Sequence, residues 1–116
     1  MVTLLTLAAC ATTPPDPRVL DNAENAVLQA EQAGAAEYAP LELRFARERL
    51  ESARTQMQAG RATESRRLAD EAEIEAQLAL ARTRAAQTRA ELAQRQRALE
   101  RLRSDLVEAF GREALE

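Results

Sequence analysis

Apolar side chains recur every three or four residues along most of this chain, which is the spacing that predicts amphipathic helices. Three such stretches follow one another, separated by Pro40 and Gly60. Pro is favoured in the first turn of a helix and disfavours helix in the residue before it, while Gly commonly follows a helix end. The pattern therefore predicts an all-α fold with helices over about 18–37, 40–59 and 62–110.

The third stretch carries a heptad repeat. It contains neither Pro nor Gly, and its apolar positions alternate in steps of three and four, broken only by Arg95. Such a repeat is typical of a coiled-coil seam. The predicted seam comprises Ile74, Leu78, Ala81, Ala85, Thr88, Leu92, Leu99, Leu102, Leu106 and Ala109.

Length suggests how the helices pack. At 1.5 Å per residue the third helix would be about 70–75 Å long, against about 30 Å for each of the first two. We expect the two short helices to lie antiparallel to each other and to cover only the near half of the long one. The seam from about 85 to 110 would then have no intrachain partner. The alternative is a long helix that bends or breaks near Arg95 and folds back.

Composition supports close helix packing. Alanine fills 26 of the 116 positions and aromatic residues supply 3%. Apolar burial stabilises by about 25 cal/mol per Å², so an alanine-rich core is a thin source of stability. Chains of this composition usually form long helices that pack through small residues, often as oligomers.

The side chains present offer little chemistry. The chain has no His, all 16 of its basic residues are Arg, and it has one Cys. Metal ligation would rest on carboxylates alone, and no activated nucleophile is visible. Glu71, Glu73 and Glu75 alternate at spacing two, which puts them on different sides of a helix. We therefore expect no enzymatic activity, no cofactor, no metal site and no small-molecule substrate.

The single cysteine ends a short uncharged apolar segment. Leu7, Ala8, Ala9 and Cys10 follow one another, and this run resembles the lipobox of bacterial lipoproteins, written Leu-Ala/Ser-Gly/Ala-Cys. The resemblance implies that residues 1–9 are a signal peptide and that Cys10 becomes a lipidated N-terminus. A buried or incidental Cys is the alternative.

The surroundings of the lipobox modify this interpretation. Residues 10–17 are rich in Thr and Pro, as expected of a flexible linker behind a lipidated Cys. A signal peptide opens with a positively charged region, and Met1-Val2-Thr3 has none. We therefore expect the true start codon to lie upstream. An alanine-rich helical domain over 18–110 and a C-terminal tail over 111–116 would complete the chain.

The stepped alanines and the run Ala39-Pro40-Leu41-Glu42-Leu43 resemble the alanine-rich domain of bacterial lipoproteins known as domain of unknown function 4398. The resemblance covers about residues 19–85, and its most specific element is the Ala-Pro followed by Leu. It implies a secreted, helical lipoprotein. Ala11 stands where an Asp would suggest inner-membrane retention, so the resemblance favours the periplasmic face of the outer membrane.

Charge is unevenly distributed along the chain. Residues 16–75 hold 13 acidic and 8 basic side chains, a net of −5, whereas residues 82–103 hold 7 basic and 2 acidic, a net of +5. Residues 104–116 return to −3. The basic block coincides with the unpartnered seam, so we predict a contact region there. Its residues are Arg89, Arg95, Arg97, Leu99, Arg101, Leu102, Arg103 and Leu106.

Several partners fit this region. An acidic envelope protein or polymer is one, and a second copy of the chain lying antiparallel, basic block on acidic block, is another. A solvent-exposed face that binds no partner is another alternative. Nucleic acid is not expected, because no aromatic residue lies among the arginines for base stacking. A basic helix lying on anionic lipid remains a minor alternative.

Two functions follow as expectations. The first is a non-enzymatic lipoprotein, held in the outer membrane by the acyl chains on Cys10, whose periplasmic helical domain is a structural, tethering or protein-interaction module. The alternative is an adaptor or regulator of an envelope enzyme or export complex.

Overall fold

The computed structural model describes residues 16–111, which contain helices and no strand. The described segment starts with a single 3-10 turn and continues through four α-helices. The turn spans Pro17–Val19, and the helices are α1 Asp21–Gln32, α2 Ala35–Tyr38, α3 Pro40–Gln58 and α4 Ala62–Phe110.

The first stretch is not the single helix predicted over 18–37. Asp16 caps the 3-10 turn, where its carboxylate accepts a hydrogen bond from the Arg18 N–H at 3.0 Å. The break comes at Gly34, whose φ of +94° lies in the left-handed region. Glycine adopts that conformation at no steric cost, and an α-helix cannot continue through it. The four-residue α2 then restarts the helix.

The other two predicted helices are confirmed. α3 begins at Pro40 and is followed by Gly60, which has a φ of +73° and donates to the Met57 carbonyl at 3.0 Å. α4 runs unbroken for 49 residues, about 74 Å at 1.5 Å per residue. The alternative of a helix that breaks near Arg95 is therefore wrong.

Side-chain pairs fix the topology. Arg47 contacts Glu31 at 2.7 Å and Arg54 contacts Glu24 at 2.8 Å, so α1 and α3 are antiparallel. α3 and α4 are also antiparallel, because Arg49 lies 3.3 Å from Glu71 while Glu42, one turn from the start of α3, pairs with Arg82. The three helices form an up-down-up bundle.

The bundle ends well before α4 does. The Gln87 amide donates to the Ala33 carbonyl at 2.9 Å, and this is the last hydrogen bond that α4 makes to another helix in the described part of the chain. Residues 88–110 continue as a lone helix, which we call the overhang. Its 23 residues extend about 35 Å.

Small side chains line the core. α3 contributes Leu43, Ala46, Leu50 and Ala53, as its spacing predicts, and α1 contributes Ala23, Val27 and Ala30. We call the buried residues of α4 the small-residue face. They are Ser65, Leu68, Ala69, Ala72, Ala76, Ala79 and Thr83.

Two hydroxyls sit in this core. Ser65 donates to the Ala53 carbonyl at 2.9 Å, which links the start of α4 to the end of α3. The Thr83 hydroxyl is buried and has no hydrogen-bond partner among residues 16–111. A buried hydroxyl without a hydrogen bond lowers the free energy of unfolding. Thr83 is therefore a position at which this core loses stability.

Candidate interaction surface

The long helix α4 has two apolar faces. The small-residue face packs on the bundle, and the predicted seam lies on the other side. We call that seam the leucine stripe. Its apolar members are Ile74, Leu78, Ala81, Ala85, Leu92, Leu99, Leu102 and Leu106. With 3.6 residues per turn, the stripe lies roughly 170° around the helix from the small-residue face.

The short helices cover only the near half of α4, as predicted, but they do so through the small-residue face, so most of the leucine stripe is exposed beside the bundle as well as beyond it. Ile74 is 64% exposed and Leu78 is 40% exposed, although both lie beside the bundle. The reason is steric: α1 and α3 approach α4 on the side where Ala, Ser and Thr allow the backbones to come close. The exposed stripe therefore extends about 48 Å, from Ile74 to Leu106.

Apolar residues of α2 and α3 widen the stripe beside the bundle. Tyr38, Leu41 and Phe45 are all exposed, at 39 to 48%. Tyr38 lines an open depression whose other walls are Ala81, Arg82, Ala85, Ala86 and Arg89 of α4.

Phe45 belongs to the same surface. It shares one face of α3 with Glu42 and Arg49, which pair with Arg82 and Glu71 of α4. Leu78 lies between those two α4 residues along the chain, so Phe45 is on the side of α3 that borders this part of the stripe. The sequence analysis missed this flank, which Pro40 divides between α2 and α3, although the spacing of Leu41 and Phe45 was a visible signal for one face of α3.

The residues predicted as a contact region all lie at the end of the bundle or on the overhang. Leu99 and Leu102 are 55% and 57% exposed, and Leu106 is half-buried. Arg95 shares the stripe with these leucines. The structure does not bring every predicted arginine to this face. Arg89 and Arg103 flank the stripe, whereas Arg97 and Arg101 lie on the opposite side of α4.

The two ends of the molecule differ in how their charges are satisfied. In the bundle, Arg47, Arg49, Arg54 and Arg67 all contact carboxylates. Hydrogen bonding to Glu24 raises the pKa of Arg54. Hydrogen bonding from Arg67 lowers the pKa of Glu64.

The overhang holds one internal ion pair, between Arg95 and Glu91 at 2.5 Å. Within residues 16–111 the remaining arginines of the basic block form no salt bridge; they are Arg84, Arg89, Arg97, Arg101 and Arg103. The overhang thus presents positive charge that no neighbouring carboxylate of the described chain balances.

No three acidic, His or Cys side chains of residues 16–111 come close enough to hold a metal ion. None of the helices in this part of the chain combines the length and apolarity needed to cross a bilayer. The predicted lipidation residue Cys10, with Leu7, Ala8 and Ala9, lies outside the described residues.

Comparison with known families identifies the domain. The model of a family described as Domain of unknown function (DUF4398) matches residues 18–108. The chain belongs to this family. The match extends beyond the 19–85 covered by the sequence resemblance and includes nearly the whole overhang, so the DUF4398 domain contains both the bundle and the projecting helix. No curated protein and no solved structure matches the chain.

Proposed function

We propose that this DUF4398 protein is a non-enzymatic, lipid-anchored protein of the bacterial envelope, and that its helical domain binds another protein. The observation that carries the proposal is the exposed leucine stripe on a helix whose opposite face is already packed. Soluble proteins rarely leave contiguous apolar surface exposed unless it has a partner. The heptad spacing of the stripe favours a helix as that partner.

The proposal of no enzymatic activity rests on the residues available. The described carboxylates either contact arginines or lie on open helix faces, and the depressions between helices are shallow and open. Catalysis by paired carboxylates needs them held together in a site that excludes water. Three helices that pack closely through alanine leave little room for such a site.

The anchoring part of the proposal rests on the lipobox-like run that ends at Cys10. A single acyl chain holds a protein only transiently, whereas two or more give durable attachment. Bacterial lipoproteins of this type usually carry more than one. With Ala11 after the Cys, we place the domain at the periplasmic face of the outer membrane.

Metabolic labelling with an alkyne fatty acid tests the anchor. We expect label on the full chain, no label on the matched variant Cys10→Ser, and outer-membrane fractions that contain the first and not the second. Unlabelled full-length protein, released without detergent, would contradict lipid anchoring.

In-cell photo-crosslinking tests the interaction part. A photoreactive residue at Leu99, on the stripe, is compared with one at Ala90, which is exposed on the other side of α4. We expect adducts from position 99 and few from position 90. No adduct from position 99, or equal adducts from both, would contradict a role for the stripe in binding.

The size of the adduct separates the two forms of the proposal. A ladder at multiples of the chain's own mass would mean a structural or tethering rod built from copies of this protein. A single adduct of another mass would mean an adaptor or regulator of an envelope enzyme or export complex. Both forms use the same surface.

A further inference from the structure

We infer that the partner of the leucine stripe is a second copy of this chain, and that the two α4 helices pair antiparallel about a two-fold axis that crosses the stripes at the level of Ala90. The inference rests on the proposed role of the stripe as a binding surface and names its occupant. Three observations carry it: the charge along the stripe, the pairing of large and small seam residues, and the exposed flank of α3.

Charge disfavours a parallel pair. In a parallel, in-register coiled coil each seam residue faces its own copy, so Arg95 would face Arg95. The positions that flank the seam on each helix would also bring like charges of the two chains together: Arg84 of one chain beside Arg89 of the other, and Asp70 beside Glu75. No flanking position of residues 70–110 offers an attractive pair in that arrangement. Juxtaposed like charges in an interface oppose association.

An antiparallel pair centred near Ala90 uses the whole stripe. Leu78 then faces the second copy's Leu102, and Ile74 faces the second copy's Leu106. Each of these layers occurs twice because of the two-fold symmetry. Large apolar residues therefore close both ends of the seam.

Arg95 also fits this register. It faces the second copy's Ala85, the smallest seam residue, so the arginine stem can cover the alanine while its guanidinium stays in water. Sliding the helices by one heptad in either direction places Arg95 opposite Leu78 or Leu92 and removes every layer in which Leu78 meets another leucine.

Charge at the flanks suits this arrangement at its ends. Glu75 lies beside the second copy's Arg103, twice. Only residues 99–103 of each basic block lie beyond the other chain's basic block, alongside its residues 77–81, because residues 82–98 of the two chains face each other in this register. At the axis itself Arg89 meets Arg89 and Glu91 meets Glu91. That local cost is reduced because Glu91 is already paired with its own Arg95 at 2.5 Å.

The exposed side of α3 supplies a wall for the incoming helix. Tyr38, Leu41 and Phe45 flank the near half of the stripe, which is where the second copy's overhang would lie. Leu99, Leu102 and Leu106 of each overhang would thus leave water in a groove between α3 and α4 of the other chain. Overhang and groove become two parts of one interface.

Sedimentation of the purified full chain tests the pairing. A Cys10→Ser background prevents lipidation and serves as reference. We expect a reversible dimer for the reference, and at least a tenfold weaker dimer for Leu102→Glu. Ser104→Glu is the matched control, because it adds the same charge two residues away on the opposite face, and it should dimerise like the reference. Leu102 is exposed and beyond the bundle, so neither variant disturbs folding.

Disulfide formation in the same background tests orientation and register. Leu78→Cys and Leu102→Cys chains are purified separately, mixed and oxidised, and we expect a covalent heterodimer. The two positions are about 36 Å apart within one helix, so a bond between them must be intermolecular. Leu99→Cys alone should not crosslink, because in this register it faces Ala81.

Each other outcome overturns the inference. Efficient crosslinking of Leu99→Cys with itself would mean a parallel pair. A monomeric reference, or a Leu102→Glu variant that dimerises as tightly as the reference, would remove self-association through the stripe. If the chain is monomeric while position 99 crosslinks to a different protein in cells, this inference fails and the proposed function stands. If position 99 captures nothing, both fail.

Discussion

The two halves of α4 are built from the same few residue types and behave differently. From Ala62 to Gln87 the helix has one face packed on α1 and α3, and its leucine side is bare. From residue 88 onward the leucine side is equally bare and the small-residue side has lost its partners as well. The difference indicates that small residues, together with Leu68, form the side of α4 that folds against its own chain, whereas the exposed leucines form the surface at which we propose that another chain binds.

The physical basis is the distance between helix axes. Small residues let two backbones approach closely, so many weak contacts accumulate along the interface. Larger side chains in place of Ala72, Ala76 or Ala79 would hold the helices apart. This protein thus builds most of its core from alanine, with Leu43, Leu50 and Leu68, and leaves most of the leucines of α4 exposed.

The largest expected effect on stability comes from comparing the truncation of one leucine to alanine in each region. Leu43→Ala in the bundle should destabilise by about 2–5 kcal/mol, because Leu43 is 1% exposed and its loss leaves a cavity. Leu99→Ala, the same change on the overhang, should alter the stability of the monomer by less than about 0.5 kcal/mol. Urea unfolding of dilute protein checks both. Equal losses would mean that the overhang is packed.

Enlarging an alanine makes the complementary test. Ala76→Leu on the small-residue face should cost about 1–3 kcal/mol, because the buried site has no room. Ala90 lies on the continuation of that face beyond the bundle and is exposed. Ala90→Leu should therefore be close to neutral by thermal unfolding. A neutral Ala76→Leu would show that α4 is not held closely by the other helices.

Replacing the buried threonine should stabilise the bundle. Thr83→Val keeps the shape of the side chain and removes a buried hydroxyl that has no partner in the described chain. We expect a gain of about 1 kcal/mol. The control is Thr88→Val, one turn further along on an exposed position, which should have little effect. A loss of stability in Thr83→Val would mean that the hydroxyl is hydrogen-bonded in solution.

The smallest effect concerns pH. Hydrogen bonding from Arg67 lowers the pKa of Glu64, so this contact stabilises the folded chain above the ordinary carboxyl pKa of 4.5. That contribution is lost as the pH falls through the lowered pKa. Glu64→Gln should therefore show a slightly smaller fall in stability on acidification, measured by urea unfolding across that pH range. An identical pH profile in the variant would mean that the contact does not persist in water.

Much of the fold was predictable because its signals were local and strong. Pro40 and Gly60 are conformationally restrictive, and the 3-4 spacing between them and beyond them is regular, so α3 and α4 could be bounded within a residue or two. Gly34 was missed because an isolated glycine is tolerated in a helical pattern at a cost of about 1 kcal/mol. The spacing of apolar residues does not reveal the φ angle of a single residue such as Gly34.

The orientation of α4 was harder to predict. Both of its faces repeat every three or four residues, and the larger side chains were assigned to the covered side. Which face is buried depends on how closely two backbones can approach, which is a property of helix pairs. The arginines were grouped by their proximity in sequence, and helix geometry then distributed Arg97 and Arg101 away from the stripe.

The central claim is that a second chain completes the overhang. Hydrogen–deuterium exchange of the full chain at two concentrations, one below and one above self-association, tests this most directly. We predict that amide protection over 88–110 rises at least tenfold at the higher concentration while protection over 62–87 changes little, because only the bundle half has intrachain partners. Equal protection of the overhang at both concentrations would contradict the claim.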